Sequence, residues 1–318
     1  MFPALKQPVY QAFGLTIQSE LPLPELQPSP HNRPADIAVL YADLSDMWSA
    51  HSDGRKSYHC SPHRIMFRVP GLAVFAVEDG TSIRISPEEA IYEDHEDHED
   101  KLRLYVLGTC MGAALLQRRI LPLHGSAVVI GQQAYAFVGH SGHGKSTLAS
   151  ALLQRGCHLL SDDVIAVKLG DQDKPYAMPA YPQQKLWQES LDVFGLSSDE
   201  YRPLFDRETK YAVPVASRFT NEALPLAGVF ELVKAHAGEV SIRPVNKLER
   251  LPLLHRHTYR NMFLEGSGLT KWHFDVTARM AAHLDMHQLV RPAEALTVQQ
   301  LTELVLRTVG ETSMMLEI

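Results

Sequence analysis

The residues best suited to chemistry lie in a glycine-rich loop, GHSGHGKST, at residues 139–147. Gly139, Gly144, Lys145 and Ser146 occupy the fixed positions of the pattern G-x-x-x-x-G-K-[ST]. In this pattern successive backbone N–H groups surround phosphate oxygens, the lysine neutralises the β- and γ-phosphates, and the hydroxyl binds Mg²⁺. The pattern therefore predicts a nucleotide phosphate site, in which the two loop histidines are assigned no side-chain chemistry. The predicted nucleotide-binding residues are Gly139, Ser141, Gly142, His143, Gly144, Lys145, Ser146 and Thr147.

The elements that must position this loop are a strand before it and a helix after it. The apolar run at 135–138 is typical of a strand buried on both faces. Lys145 to Gln154 holds good helix formers with apolar side chains on one side, and Gly156 is a suitable stop. A helix that begins at the loop adds its dipole and its unpaired N–H groups to an anion site. An ordinary glycine turn explains this combination less well.

Two adjacent carboxylates, Asp162 and Asp163, follow Lys145 by 17 and 18 positions. A short strand predicted at 157–160 carries them to its end. An isolated Asp-Asp pair is usually a solvated turn. Beside a phosphate site the pair suits phosphoryl transfer, which needs an acidic ligand for Mg²⁺ and a group that accepts the proton of the attacking hydroxyl. We predict Asp162 as the base and Asp163, with Ser146, as the metal partner, and the reverse order stays open.

The order of these motifs carries a family resemblance. HGS at 124–126, GxSGxGKS in the loop and RGxxLxSDD at 155–163 resemble the catalytic domain of HPr kinase/phosphorylase and its relatives, which share a phosphoenolpyruvate-carboxykinase-like core. The resemblance covers about 45 residues and implies an α/β fold with a P-loop core of that type. It implies a role for His124 near the transferred phosphate, although a histidine there is otherwise more often a packed, hydrogen-bonded residue. The glycine-rich signature ExRGLG, which those bifunctional enzymes carry after the acidic pair, is not found.

The resemblance implies an ATP- and Mg²⁺-dependent kinase whose acceptor is a serine hydroxyl of a peptide or protein. Lys145, Asp162 and His124 are the expected catalytic residues of such an enzyme. Without the ExRGLG signature, neither phosphorylase activity nor HPr itself as the substrate is expected. Two alternatives stay open: a kinase of a small metabolite with a hydroxyl group, and a nucleotide-sensing regulator that transfers phosphate only to water.

The N-terminal region predicts a separate, mostly antiparallel β module over residues 1–92. Short β-like runs alternate with turns, and Asp79-Gly80 is a strong hairpin signal because both turn positions favour positive φ. The opening YQAFGLTIQSELPLPEL loosely resembles HPr-kinase-like proteins encoded with lasso-peptide and other modified-peptide pathways. This resemblance implies an acceptor serine near the C-terminus of a small precursor peptide.

The remaining chain, residues 101–318, is predicted to be the kinase domain. The charged run EDHEDHED at 93–100 predicts a solvated linker at the boundary, and a metal site is disfavoured there because metal ligands usually come from separated elements. Apolar residues spaced three or four apart predict a helix over 101–119. His283 and His287 are placed one turn apart on another helix.

Residues 174–217 predict turns and loops, because their apolar periodicity breaks down. The cations of this region offer charge for a transferring phosphate or a peptide carboxylate, and Lys210 is the preferred candidate. For any single one of them an exposed surface charge is the simpler interpretation. The candidates are Lys185, Arg207 and Lys210 of this region and Arg218 directly after it.

Composition excludes several classes of function. The net charge of −7, from 30 basic and 37 acidic residues, disfavours nucleic acid as a partner. The longest nearly apolar run, at 106–116, is too short to span a bilayer, so no membrane is expected. The 3 cysteines are far apart and form no C-x-x-C pair, which predicts the reducing cytoplasm. Assembly into a homo-oligomer stays open.

Overall fold

The protein has a mixed α/β fold, as the sequence predicts. The computed structural model describes residues 7–30, 34–51, 57–88, 95–204, 207–236, 238–293 and 297–316. The chain divides into two compact units, Met1–Pro122 with Arg260–His273 and Leu123–Tyr259 with Phe274–Ile318. The proposed division into functional modules at residues 92 and 101 stays a prediction. None of the helices within the described ranges has the length and apolar composition that crossing a bilayer requires.

The strands and helices follow one another along the chain with short connections. The strands are β1 Val9–Ala12, β2 Leu15–Ser19, β3 Gln27–Pro28, β4 Ile37–Tyr41, β5 Tyr58–Cys60, β6 Arg64–Val69, β7 Ala73–Glu78, β8 Ser82–Pro87, β9 Leu121–Ile130, β10 Gln133–Val138, β11 His158–Leu169, β12 Pro175–Met178, β13 Gln183–Trp187, β14 Arg202–Leu204, β15 Arg207–Pro214, β16 Leu224–Ala235, β17 Ser241–Pro244 and β18 Asp285–Pro292. The helices are α1 Ser45–His51, α2 His95–Tyr105, α3 Met111–Gln117, α4 Lys145–Gln154, α5 Gln188–Phe194, α6 Lys247–Arg256, α7 Phe263–Gly266, α8 Thr270–His283 and α9 Val298–Leu316.

The first unit contains a sheet that, in the described residues, orders eight strands as β3-β1-β2-β4-β8-β7-β6-β5. The pairings β2–β4 and β4–β8 are parallel and the other described pairings of this sheet are antiparallel. The predicted hairpin is confirmed, since Asp79 and Gly80 have φ of 50° and 65° and join β7 to β8. In β8 buried apolar residues alternate with more exposed ones, as in a strand buried on one face, whereas β7 is buried at five successive residues and so on both faces.

The charged run at 93–100 is helical in its described part, so the prediction of a linker is wrong there. Residues 93 and 94 lie outside the described residues, and α2 begins at His95. Arg103 is 8% exposed in its side chain and pairs with Asp100, with Glu99 at 3.5 Å and with Glu25 at 3.1 Å. These ion pairs explain why acidic residues enter the helix. The helix predicted at 101–119 is present, although its middle, Val106–Cys110, is π-helical.

The second unit contains a sheet that orders its described strands as β10-β9-β11-β12-β16-β18-β17, with a further pairing between β10 and β16. This further pairing closes five of the strands into a ring. β10, β16 and β18 run parallel to one another, so their carboxyl ends lie at the same edge. Binding sites in such sheets usually lie at that edge, and the glycine-rich loop follows β10 there. α4 and α9 pack on this sheet through a shared apolar cluster that includes Leu152 and Val305.

Two predictions of local structure in this unit are wrong. The region 174–217 is not mainly loop, because β13, β15 and β14 form a small antiparallel sheet within it. The strands are not visible in the sequence because polar residues such as Gln184 and Lys185 are themselves buried. His283 ends α8 and His287 lies in β18, so the two histidines do not share a helix.

Candidate active site

The glycine-rich loop has the backbone that its glycines predict. Gly139, Gly142 and Gly144 have φ of 150°, 78° and 94°, where residues with a side chain are strained. A Cβ on Gly139 would lie 2.8 Å from the carbonyl oxygen of Leu232, so no side chain fits there. α4 begins at Lys145, directly after Gly144. The loop thus joins a buried strand to a helix N-terminus, the arrangement that favours anions.

Lys145 lies beneath this loop and is 8% exposed. Its Nζ donates to the carbonyl oxygens of Gly139 at 2.8 Å and of His140 at 3.1 Å. Burial lowers the pKa of Lys145 to about 8, although Asp162 and Asp163 oppose the shift. A phosphate in the loop would offer oxygens of full negative charge, which bind an ammonium more strongly than these carbonyls do.

Asp162 is the more enclosed of the two adjacent carboxylates, with 3% exposure. Its Oδ1 accepts from Ser126 Oγ at 2.5 Å and from Ser146 Oγ at 3.0 Å, and its Oδ2 accepts from the Lys185 N–H at 2.7 Å. Burial raises the pKa of Asp162, against the bonds from Ser126 and Lys185. Asp162 is therefore joined directly to the loop hydroxyl that the pattern assigns to Mg²⁺.

Asp163 lies next to Asp162 but faces different partners. Its Oδ2 accepts from Lys185 Nζ at 2.7 Å, and its side chain is 19% exposed. Burial alone would raise the pKa of Asp163, but the neighbouring charges, of which Lys185 is the largest, and the hydrogen bond from Lys185 together outweigh it and hold this pKa well below its usual range. Lys185 is in turn buried, and Asp163 holds the pKa of its ammonium above the ordinary value despite that burial.

The backbone explains how neighbouring residues reach one site. The sequence predicts that this strand ends at the two aspartates. In the structure β11 instead continues past them to Leu169. Successive side chains of a regular strand point to opposite faces. Asp163 has a φ of 75°, which interrupts this alternation, and both carboxylates contact Lys185. Aspartate tolerates this left-handed conformation better than most residues.

His124 contacts Asp163 from β9. Its Nδ1 lies 3.1 Å from the main-chain oxygen of Asp163 and 3.5 Å from Oδ1. Because a carbonyl oxygen only accepts, Nδ1 carries the proton, and Nε2 of the neutral ring is an acceptor. Burial lowers the pKa of His124 to about 4, against the pull of Asp163, so the ring is neutral at pH 7. The structure therefore brings His124, Lys145, Ser146 and the two carboxylates together.

Lys210 lies in β15, opposite Trp187 of β13, with its Nζ 5.3 Å from the centre of the indole ring. Its positive charge contributes to lowering the pKa values of Lys145 and His124. The small sheet that the sequence does not predict thus carries both Lys210 and Lys185. Arg218 lies in a short helical turn that follows this sheet.

The other predicted loop residues have different surroundings. Ser141 and Gly142 are exposed, and Thr147 Oγ1 lies 2.7 Å from Ser190 Oγ of α5. His143 Nδ1 donates to the Leu232 carbonyl oxygen at 2.9 Å. Thr147 and His143 thus hold the loop in place through their side chains.

An acidic group that no sequence motif marks lies beside the loop. Glu231 of β16 pairs in register with Val138, the last residue of β10, and is 4% exposed. Its carboxylate contacts His257 at 2.7 Å, Gln288 at 2.7 Å and Arg256 at 3.2 Å. A single acid inside the apolar run VFELV was the available signal, since an ionised side chain is rarely buried without partners.

The side-chain oxygen atoms of Ser146 and Asp162 are suitable ligands for Mg²⁺. This ion prefers oxygen ligands and commonly uses one or two carboxylates together with substrate phosphates. Among the described residues no group of three or more histidine, cysteine, aspartate or glutamate side chains could hold a metal ion. A magnesium site here would therefore share its coordination with a phosphate and water.

Comparison with solved structures finds similar chains. The chain is similar to the HPr(Ser) kinase/phosphatase from Coxiella burnetii, with 15% identity and a TM-score of 0.33, over 62% of this chain and 99% of that one. No family model matches the sequence. No curated protein matches it either. A likeness of this size does not define a shared function, so the functional conclusion depends on the site itself.

Proposed function

We propose that this protein is an ATP- and Mg²⁺-dependent kinase that transfers a phosphoryl group to an alcohol hydroxyl. The observation that carries the proposal is the bond between Ser146 of the glycine-rich loop and the buried Asp162, with Asp163 beside it. Phosphoryl transfer requires groups that bind the phosphates, ligands for Mg²⁺ and a residue that orients the acceptor hydroxyl. The contacts around this loop provide candidates for each of these parts.

In this proposal the glycine-rich loop and Lys145 bind the triphosphate. The N-terminus of α4 and the loop N–H groups favour the negative charge. Lys145 exchanges its bonds to the Gly139 and His140 carbonyls for bonds to the β- and γ-phosphates. Lys210 adds a positive charge from the small sheet. Cations near a transferring phosphoryl group stabilise its negative charge.

The contacts support the reverse of the predicted order for the carboxylates. Asp162 is bonded to Ser146, so these two residues would hold Mg²⁺, which neutralises charge on the phosphates when it is bound. Asp163 is the more exposed, and it contacts His124, so it is the better candidate to orient the acceptor hydroxyl and accept its proton. Lys185 and His124 position Asp163 for this role.

For the acceptor we propose a serine near the C-terminus of a precursor peptide, as in lasso-peptide maturation, in the cytoplasm. The N-terminal sequence resemblance motivates this choice. A flexible peptide loses entropy when it is ordered, and contacts remote from the serine offset that loss. Phosphorolysis and the use of HPr are not expected, because the ExRGLG signature is not found in the sequence.

The acceptor can be tested by mass spectrometry of candidate substrates incubated with the protein, Mg²⁺ and ATP. We expect phosphoserine on a precursor peptide, and a kcat/KM for free serine lower by about 10²-fold or more, because free serine lacks the remote contacts. Equal use of free serine would favour a metabolite kinase. ATP hydrolysis with no phosphorylated acceptor would favour a nucleotide-sensing regulator.

A further inference from the structure

A buried ionic cluster lies beside the glycine-rich loop and is not used by the proposed reaction. Glu231 and His257 are each 4% exposed, and Glu231 Oε1 lies 2.7 Å from His257 Nε2. The pKa of Glu231 is lowered to about 2, because its hydrogen bonds, first among them the one from His257, outweigh the effect of burial. A carboxylate only accepts, so Nε2 of His257 carries a proton. Glu231 therefore fixes the orientation of this imidazole ring.

The strand that carries Glu231 supports the loop directly. Glu231 is in register with Val138, which precedes Gly139. The next residue, Leu232, accepts a hydrogen bond from His143 Nδ1 at 2.9 Å. The Leu232 carbonyl oxygen also lies within 2.8 Å of where a Cβ of Gly139 would be. β16 therefore lies close to the start of the loop at Gly139 and accepts a hydrogen bond from it at His143.

His257 contacts both the loop and the strand of His124. Its ring lies 5.8 Å from the His140 ring at an angle of 65°, an edge-to-face contact. Its main-chain oxygen accepts from the His124 N–H at 2.7 Å. His140 is itself exposed, as are Ser141 and Gly142 after it. The ring of His257 therefore contacts an exposed part of the loop at His140.

We propose that His257, oriented by Glu231, is a positioning residue that holds the glycine-rich loop through His140 and so raises its affinity for MgATP. The proposal rests on the proposed function, because it assumes that the loop binds a nucleotide. A loop ordered in advance loses less entropy when it binds a ligand. Such a contact acts on the bound substrate and the transition state alike, so it changes KM rather than kcat.

The test compares three variants of the full chain. His257→Gln keeps an N–H donor for Glu231 but removes the ring that meets His140. His140→Ala removes the other partner from an exposed position, where folding is not at risk. We expect each change to raise the KM for MgATP by about 5- to 10-fold, with kcat within about twofold, and the double variant to be no worse than either single one. The dissociation constant of a Mg²⁺-bound non-hydrolysable ATP analogue should rise by the same factor.

His287→Asn is the matched control. His287 lies in β18, in the same sheet as Glu231, and is partly buried. Its ring stacks on that of Phe230, with ring centres 5.4 Å apart. Among the described contacts it does not touch the loop, so its replacement should leave the KM for MgATP unchanged even if it lowers the melting temperature.

Failure of the inference and failure of the proposed function give different results. Wild-type protein that binds no MgATP would refute the proposed function. Wild-type protein that binds MgATP, together with a His257→Gln variant of equal affinity or additive effects in the double variant, would refute only the positioning role. Should His257→Gln not fold, unchanged affinity in His140→Ala overturns the inference, and reduced affinity with unchanged kcat supports it.

Discussion

At the scale of single residues, the two adjacent carboxylates differ more than their sequence suggests. Asp162 accepts hydrogen bonds from Ser126, Ser146 and the Lys185 N–H, whereas Asp163 pairs with a buried ammonium and contacts His124. The sequence predicts that both aspartates lie at the phosphate site, and the structure places them beside the loop and Lys185. The sequence does not identify their order, because the order depends on the φ of Asp163 and on Lys185, which lies 22 positions further along the chain.

Replacing each carboxylate by its amide should separate the two roles. We expect Asp163→Asn to lower turnover by about 10²-fold or more with little change in nucleotide affinity, because the amide cannot accept the hydroxyl proton. Asp162→Asn should lower the affinity for Mg²⁺, so that a higher Mg²⁺ concentration is needed for half-maximal activity, because the metal site loses the charge of its carboxylate. Steady-state kinetics over a magnesium titration measure both effects. The opposite pattern would restore Asp162 as the base and Asp163 as the metal partner.

Glu231 should make the stability of the protein depend on pH. Its pKa is lowered from 4.5 to about 2 in the folded state, so the stabilisation is complete above pH 4.5 and is lost as the pH falls towards 2. The stability difference between wild type and Glu231→Gln should therefore shrink by on the order of 2 kcal/mol between pH 6 and pH 3. Urea unfolding at each pH measures this difference.

A control variant measures how the free energy of unfolding depends on pH when an acid on the surface is removed. Glu222→Gln removes an exposed acid of the same unit. A pH-independent difference between wild type and Glu231→Gln would contradict the assignment of the Glu231 ion pair.

At the scale of elements, the sequence predicts the parts with regular apolar patterns and misses those that bury polar groups. The strand before the loop, the helix after it and the Asp79-Gly80 hairpin are present. The small β13–β15–β14 sheet was missed, because Gln184 and Lys185 are buried by contacts that no local pattern reveals. Asn246 caps α6 by accepting hydrogen bonds from the N–H groups of Leu248 and Glu249.

The close approach of β9 to β10 can be tested at Gly125, the glycine of the HGS motif. A Cβ there would lie 2.2 Å from the Phe137 carbonyl oxygen on the paired strand. We expect Gly125→Ala to destabilise the protein by about 1–3 kcal/mol, because the strands must move apart. Thermal unfolding measures the change.

Gly310 offers the control of opposite sign. It lies in α9 with nothing within 4 Å of an added Cβ. Gly310→Ala should raise stability by up to about 1 kcal/mol, since alanine favours a helix more than glycine does. A Gly125→Ala variant as stable as the wild type would show that the strands can separate without cost.

At the scale of the whole molecule, the candidate site lies in the unit of Leu123–Tyr259 with Phe274–Ile318. The parallel strands β10, β16 and β18 of this unit carry the loop, Glu231 and Gln288, while β9, β11 and the small sheet supply His124, the carboxylates and the lysines. The sequence could predict the loop and the acidic pair because they are local motifs. It could not predict Glu231, His257 and Lys185 as their neighbours, because these come together only when distant strands pair.

The central claim is that Lys145 and its loop bind MgATP for phosphoryl transfer, and the transfer itself tests it most directly. The wild-type chain and its Lys145→Ala variant are each incubated with MgATP and a precursor peptide that has a serine near its C-terminus. The phosphorylated peptide is then quantified by mass spectrometry. We predict phosphoserine with the wild type and a loss of about 10³-fold or more in the variant, because the lysine that reaches the β- and γ-phosphates is gone. Phosphorylation by Lys145→Ala at the wild-type rate would contradict the claim.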